Sequence, residues 1–328
     1  MTDSPRIVVV DGYTLSPGPS ARGDVAWGEL AALGTLELHE RSGELRVERA
    51  AGASIVLTNK EVFDSETIRK LPALRYIGVL ATGVDVVDLD AARAQGITVT
   101  NIPAYSTPSV AQHVFALLLE IVSHTSLHTG AVMKGEWQVS DDFMFTRATL
   151  RELAGKNFGI VGLGSIGSAV ARIAAAFGMN VLAAESPSGR RPAIAGVSVK
   201  FLPLDELFVE ADIVSLHCPL NLQTEGLVNA TRLASMRSDA VLLNTGRGPL
   251  IDERALRESL DAGHLAGAGL DVLSQEAPPA DHPLLGAPRC HITPHLAWAT
   301  WEARQRLMAI ATSNVRQYLL GSSQNVVT

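Results

Sequence analysis

The stretch Val161-Gly162-Leu163-Gly164-Ser165-Ile166-Gly167 constrains this chain more than any other. This G-x-G-x-x-G run follows an apolar segment, Phe158-Gly159-Ile160-Val161, short enough for a buried parallel strand. An Ala-rich amphipathic segment from Ser168 to Phe177 comes next and reads as a helix. Strand, glycine turn and helix, in that order, are the context in which the motif binds a dinucleotide. Gly162 permits the turn, Gly164 lets the backbone approach a pyrophosphate, and Gly167 lets the helix pack closely on the strand. The free N–H groups at the helix start, with the positive end of its dipole, then face the phosphates. A second strand, Asn180 to Ala184, ends in Glu185, at the offset of about 20 residues where an acid meets the adenosine ribose. The bland reading of the motif is an ordinary βα turn; the acid at that offset favours the dinucleotide site.

A chain of 328 residues has room for two domains of ordinary size. Its 47% hydrophobic and 19% charged residues suit a large buried core. A net charge of -7 argues against nucleic acid as the main partner and favours a soluble, acidic enzyme. Cys218 and Cys290 form no C-x-x-C and imply no disulfide framework, consistent with a reducing cytoplasm. The start, Met1-Thr2-Asp3-Ser4-Pro5, lacks the basic-then-apolar pattern of a signal peptide. The most apolar helical stretch, Val114 to Val122, is interrupted by Glu120 and is too short to span a bilayer. No membrane partner is expected.

Taken in order, Arg6 to Val10 is a first strand, followed by a Gly/Pro/Ser loop through Arg22. Further strands are expected at Ser54 to Thr58, Arg75 to Leu80 and Ile97 to Thr100. Between them, Ser65 can cap a short helix ending near Pro72, and Asp88 starts one ending at Gly96. Strands alternating with helices imply a doubly wound parallel sheet. Asn101-Ile102-Pro103 reads as the crossing into a second domain, and one long helix is expected from about Thr107 to Lys134. Gly135 to Thr149 lacks periodicity yet holds Trp137, Phe143, Met144 and Phe145, which suggests burial against a second subunit or the mouth of a site. The alternation then resumes, with strands at 158–161, 180–184, 197–201, 212–217, 240–244, 267–271 and near 291–293. A final helix, from about Thr300 to Leu320, is expected to lead back to the first domain.

In open α/β sheets ligands sit beyond the carboxyl ends of the strands. Four polar clusters fall there: Thr245-Gly246-Arg247-Gly248, Asp271 with Glu276 shortly after, Pro294-His295, and Thr82-Gly83 from the first domain. An arginine, a carboxylate and a histidine are the groups needed to reduce a 2-keto acid. Arginine binds the substrate carboxylate through its planar fork and polarises the ketone. Histidine donates a proton to the carbonyl oxygen, and a neighbouring carboxylate favours its charged form. Singly, each has a plainer explanation: a surface arginine, a solvated glutamate, a histidine capping the last helix. Their joint position beside a dinucleotide motif favours chemistry. His291 and His295 are four apart, a metal-pair spacing on a helix, but Pro294 and the strand-like Cys290 to Thr293 exclude a helix, and no metal is expected.

At these residues the sequence resembles the NAD-dependent D-2-hydroxyacid dehydrogenase family, most closely its D-glycerate dehydrogenase (hydroxypyruvate reductase) branch. The likeness runs from Tyr76 onward through Tyr76 to Asp85, Val110-Ala111-Gln112-His113-Val114-Phe115, Gly162 to Gly167, Asn244 to Leu250, Gly269 to Leu273 and Ile292-Thr293-Pro294-His295; the preceding stretch matches more loosely. The resemblance implies two doubly wound parallel-sheet domains with a cleft between them. One is a flavodoxin-like substrate domain formed by residues 1–101 and 297–328. The other is a Rossmann NAD domain at 102–296, with a dimerisation region near 103–150. It implies that Arg247 binds and polarises substrate, that Glu276 pairs with His295, and that His295 is the acid/base. Thr82 and Gly83 would lie at the substrate carboxylate and nicotinamide, and Lys60 near the substrate pocket. Ser165 and Ile166 would touch the pyrophosphate and Glu185 the ribose. Cys218, Thr245, Gly246 and Asp271 would line the nicotinamide half, with Ala297 and Trp298 beyond the histidine. The expected protein is a cytoplasmic homodimer that reduces hydroxypyruvate or glyoxylate with NADH.

Two departures from the family pattern stand out. Glu185 replaces the more usual Asp; it can still accept from two hydroxyls and would repel a 2′-phosphate, so NADH is expected over NADPH. Arg190 and Arg191 follow, and arginine is what a 2′-phosphate needs. Thr146 stands where the glycerate branch usually carries tryptophan, so substrate preference could differ. The competing readings are a dehydrogenase of another keto acid, such as phosphohydroxypyruvate, and a non-enzymatic NADH sensor like the family's corepressors. The first would be expected to bring a regulatory domain and an extra basic cluster, the second long disordered tails. A formate dehydrogenase is disfavoured, because that reaction needs no proton donor and Glu276 would be superfluous.

Overall fold

Unbroken apolar runs such as Ile7-Val8-Val9 and Val241-Leu242-Leu243 suit strands covered on both faces. Two parallel sheets are built from such strands. A computed structural model describes residues 4–16 and 25–328, which pack as two units, Met1–Ser106 with Ala299–Thr328, and Thr107–Trp298.

The first unit holds strands β1 (Arg6–Val9), β2 (Thr35–Leu38), β3 (Ile55–Thr58), β4 (Tyr76–Val79) and β5 (Thr98–Thr100). They pair in parallel in the order β2-β1-β3-β4-β5, the flavodoxin-like order. β2 was not expected from sequence. It is a short edge strand whose residues are only partly covered, so it carries no apolar run, and its Glu37 is fixed by the Arg6 guanidinium at 2.6 and 2.8 Å. The helix Ser65–Arg69 is capped by Asp64 rather than Ser65, because the Asp64 carboxylate accepts the Thr67 N–H at 2.8 Å. Of the loop expected through Arg22, residues 17–22 lie outside the described residues, as do Met1 to Asp3. The last helix, Trp301–Leu319, begins at the Thr300 cap and completes this unit. Its Tyr318 ring meets Tyr76 of β4 at 4.7 Å, and its buried Asn314 donates to the Asn101 carbonyl at 3.0 Å.

The second unit holds β6 (Asn157–Val161), β7 (Asn180–Ala184), β8 (Val199–Leu202), β9 (Ile213–Leu216), β10 (Val241–Asn244), β11 (Gly267–Leu270) and β12 (Cys290–Ile292). Their order, β12-β11-β10-β9-β6-β7-β8, is that of a Rossmann sheet extended by one strand, with its switch point between β6 and β9. One face of this sheet carries a core of Leu207, Phe208, Leu242 and Leu256; the other packs the helices Thr107–Ser123 and Ser165–Ala176 through Val114, Leu118, Val170 and Ala174. The single long helix expected after Pro103 is two helices, Thr107–Ser123 and Thr125–Met133, bent by 59°. The break is His124, at φ +49, a left-handed conformation that an α-helix cannot contain. The helix Thr107–Ser123 lies close on β11, because Gly267 and Gly269 have no side chain: an added Cβ would come within 2.9 Å of Ile121 and Leu117. Beyond Met133, Val139, Phe143 and Met144 are exposed. Among the described residues no single helix is long and apolar enough to cross a membrane.

Candidate active site

β6 delivers the chain to Gly162, which takes φ +101, and a Cβ there would stand 2.5 Å from the Cys218 nitrogen at the end of β9. Glycine is required on both counts. At Gly164 an added Cβ meets nothing within 4 Å, so the turn is open on that side. At Gly167 the Cβ would lie 2.2 Å from the Gly162 oxygen, so helix and turn touch through backbone. Gly164 is the N-cap of Ser165–Ala176 and brings no side chain, which leaves the first-turn N–H groups of Ser165, Ile166 and Gly167 to an anion. This geometry fits the pyrophosphate of a dinucleotide. Glu185 follows β7, and its carboxylate pairs with the Arg191 guanidinium. Cys218 has its thiol pushed up by burial, and burial pushes the adjacent His217 down to about 4.

The end of β10 is organised by Asn244, fully buried, whose Oδ1 accepts the Gly246 N–H at 3.0 Å while its Nδ2 donates to the Arg247 carbonyl at 2.9 Å. That side chain shapes the loop from which Arg247 projects. Thr245 in the same loop has a buried Oγ1 without a hydrogen-bond partner among the described residues. A buried hydroxyl lacking a partner is costly, and a polar group of a bound cofactor or substrate would satisfy it. Gly248 seals the other side of the loop against the backbone of Leu273 and Ser274, where a Cβ would clash at 1.9 to 2.3 Å.

His295 lies beyond β12 with its Nδ1 2.7 Å from Oε2 of Glu276. Its backbone is held at φ +52, a left-handed conformation that costs an L residue about 1–2 kcal/mol. Asp271 secures it. The His295 N–H donates to the Asp271 carbonyl at 2.8 Å, and the Asp271 carboxylate accepts the N–H groups of Leu296 at 2.9 Å and Ala297 at 2.8 Å. Thr293 donates its hydroxyl to the same carboxylate at 2.6 Å, so its oxygen must accept from His113 Nε2, 2.9 Å away. Ser109 donates to the Ala297 carbonyl at 2.5 Å. The histidine segment is thus clamped from below by Asp271 and from the side by the helix Thr107–Ser123. Asp271, expected at the nicotinamide, has its carboxylate turned into this segment and buried. Ala297 is buried and Trp298 half-buried just beyond.

In the first unit, Thr82 and Gly83 follow β4; the Thr82 hydroxyl donates to the Ile102 carbonyl at 2.8 Å and its carbonyl accepts from Asn101 Nδ2 at 2.8 Å. Lys60 lies in a loop pinned by the buried Asp11, whose carboxylate accepts the N–H groups of Asn59, Lys60 and Glu61. Burial drives the Asp11 carboxyl up despite those bonds. Asp11, Ser109, His113, Gly248 and Thr293 have positions that sequence reasoning did not single out. His113 stands in the stretch Val110 to Phe115, where its residue type alone points to no partner, and Gly248 stands out from sequence only as part of a glycine-containing loop.

Residues 115–297 match the family described as D-isomer specific 2-hydroxyacid dehydrogenase, NAD binding domain. The chain is 45% identical to a hydroxypyruvate reductase of Blautia hydrogenotrophica (strain DSM 10507 / JCM 14656 / S5a33), over 98% of this chain and 99% of that protein. It is 38% identical to a glycerate dehydrogenase of Methylorubrum extorquens (strain ATCC 14718 / DSM 1338 / JCM 2805 / NCIMB 9133 / AM1), over 86% of this chain and 87% of that one. Among solved structures it resembles an acyclic imino acid reductase in complex with NADPH and D-Arg, with a TM-score of 0.85 and 30% identity, covering 98% of this chain and 100% of the other.

Proposed function

The chain belongs to the D-isomer specific 2-hydroxyacid dehydrogenases, and from that premise we propose that it reduces hydroxypyruvate or glyoxylate to the D-2-hydroxy acid, with NADH preferred over NADPH. The single observation that carries the mechanism is the 2.7 Å contact between His295 Nδ1 and Glu276. With Glu276 accepting at Nδ1, Nε2 of His295 is left to give a proton to the substrate carbonyl oxygen. Arg247 binds the substrate carboxylate and polarises the ketone. The nicotinamide supplies hydride to the carbonyl carbon when bound. The glycine turn and first-turn N–H groups hold its pyrophosphate, Glu185 takes the ribose hydroxyls, and Thr245 Oγ1 gains a partner. Cys218, Gly246, Ala297 and Trp298 border the nicotinamide half. The unit Thr107–Trp298 is assigned to cofactor, the other to substrate.

The preference for NADH rests on Glu185, which would repel a 2′-phosphate and engages Arg191. The exposed Val139, Phe143 and Met144 support a homodimer through the stretch around 103–150. The test is NADH and NADPH oxidation by the purified protein with hydroxypyruvate, glyoxylate, pyruvate and phosphohydroxypyruvate in parallel. Preference for hydroxypyruvate or glyoxylate with NADH supports the assignment. Preference for pyruvate or phosphohydroxypyruvate moves the substrate, and cofactor binding without turnover overturns the enzymatic reading.

A further inference from the structure

Glu276 rides on an exposed loop, yet both ends of that loop are fastened to one carboxylate. Ser274, two residues before Glu276, donates its backbone N–H to Glu253 Oε1 at 2.8 Å and its hydroxyl to Glu253 Oε2. His282, beyond the proline-containing stretch, stands with Nε2 at 3.0 Å from the same Oε2. The direction of that last bond is set by the backbone: the Leu284 N–H donates to His282 Nδ1 at 3.3 Å, so Nε2 carries the proton toward Glu253. The clamp is well covered, with side-chain exposures of 4% for His282 and 11% for Glu253. Between its two grips, Gln275, Glu276 and Ala277 are exposed and belong to no helix or strand.

We propose that Glu253 is a positioning residue for the reaction: by gripping Ser274 and His282 it fixes the loop so that Glu276 reaches His295. This inference rests on the acid–base reading given above. Glu253 is suited to the task because it opens the helix Glu253–Asp261, whose N-terminus favours a carboxylate, and because the Asp252 cap fixes that helix start. A carboxylate is an acceptor at both oxygens and can take all three donors. A glutamine in its place turns an amide NH2 toward either the Ser274 or the His282 donor, so one grip must open. A loop end freed in this way lets the Glu276 carboxylate wander, and misplacement by about 1 Å in a catalytic arrangement costs on the order of 100-fold in rate. If Glu253 only stabilised its helix, its replacement would lower the melting temperature and leave turnover of the folded enzyme unchanged.

The experiment is a double-mutant cycle on the full chain, with kcat and KM for hydroxypyruvate and NADH measured for Glu253→Gln, Glu276→Gln and the pair. Thermal melting and NADH binding report the folded fraction. Glu253→Gln is expected to lower kcat by about 10- to 100-fold with NADH affinity held within about twofold. In the Glu276→Gln background it should cost less than about twofold more, because the clamp acts through the residue already removed. Losses that multiply, or a folded Glu253→Gln enzyme with wild-type kcat, overturn the proposal. Wild-type turnover by Glu276→Gln alone would overturn the acid–base reading beneath it. If Glu253→Gln does not fold, His282→Asn opens the other grip, with the same expected pattern and the same contradicting outcomes.

Discussion

Gly248 meets Leu273 so closely that a Cβ on the glycine would stand 1.9 Å from the Leu273 carbonyl carbon. The loop bearing Arg247 and the loop leading to Glu276 therefore touch backbone to backbone, and the separation of the two functional groups depends on this contact. Gly248→Ala should destabilise the protein by about 1–3 kcal/mol, because the clash is with main chain that cannot rotate away. The same change should lower kcat/KM, because either loop must move. Urea unfolding with parallel kinetics checks this. A variant of native stability and activity would contradict the packing described.

Glu276 stands 2.7 Å from His295 Nδ1, a contact that orients the ring and leaves Nε2 toward the substrate. Glu276→Gln should accordingly lower kcat for reduction by about 10- to 100-fold, because a misplaced ring no longer meets the carbonyl oxygen, while the NADH dissociation constant stays within about twofold. The check is steady-state kinetics of both enzymes beside an NADH titration. Wild-type turnover would give Glu276 no part in orienting His295.

Glu185 and Arg191 are tied to one another at the end of β7. Glu185→Gln should release the arginine and remove the repulsion toward a 2′-phosphate. The ratio of kcat/KM for NADH over NADPH should then fall by about tenfold or more, one lost charged contact being worth roughly 1.5–3 kcal/mol. An unchanged ratio would place cofactor choice elsewhere.

His217 gives a stability prediction of definite sign. Burial pushes its imidazole down to about 4 from an ordinary 6.5, and its Nε2 lies 2.9 Å from the Ser215 hydroxyl. Between those values the unfolded chain binds a proton that the folded chain does not, so stability falls as pH drops from about 6.5 to about 4. His217→Gln should flatten the pH dependence of the urea midpoint across that window. Equal slopes in variant and wild type would contradict the assignment.

The parallel sheets and the glycine turn were legible because each rests on local signals. Apolar runs bounded by turn residues marked the central strands, and glycine at positions 162, 164 and 167 marked a geometry with few alternatives. β2 was invisible because an edge strand such as Thr35-Leu36-Glu37-Leu38 need not be apolar. The break at His124 was missed because a residue in the left-handed region leaves no pattern when it is not glycine or asparagine. The site itself divides in the same way. Arg247, Glu276 and His295 stood out by residue type at strand ends, whereas Glu253, His282, His113 and Asp11 act on loops distant in sequence. Partners of that kind, such as His113 and Thr293 180 positions apart, become visible only once the chain is folded.

The measurement that bears most directly on the account is the kinetics of His295→Ala with hydroxypyruvate, paired with its affinity for NADH. The proton donor acts on the substrate carbonyl and not on the cofactor, so kcat should fall by about 10²–10⁴-fold while the NADH dissociation constant stays within about twofold. Turnover at the wild-type rate would remove His295 from the chemistry. Lost NADH binding would make it a structural support of the cofactor site instead.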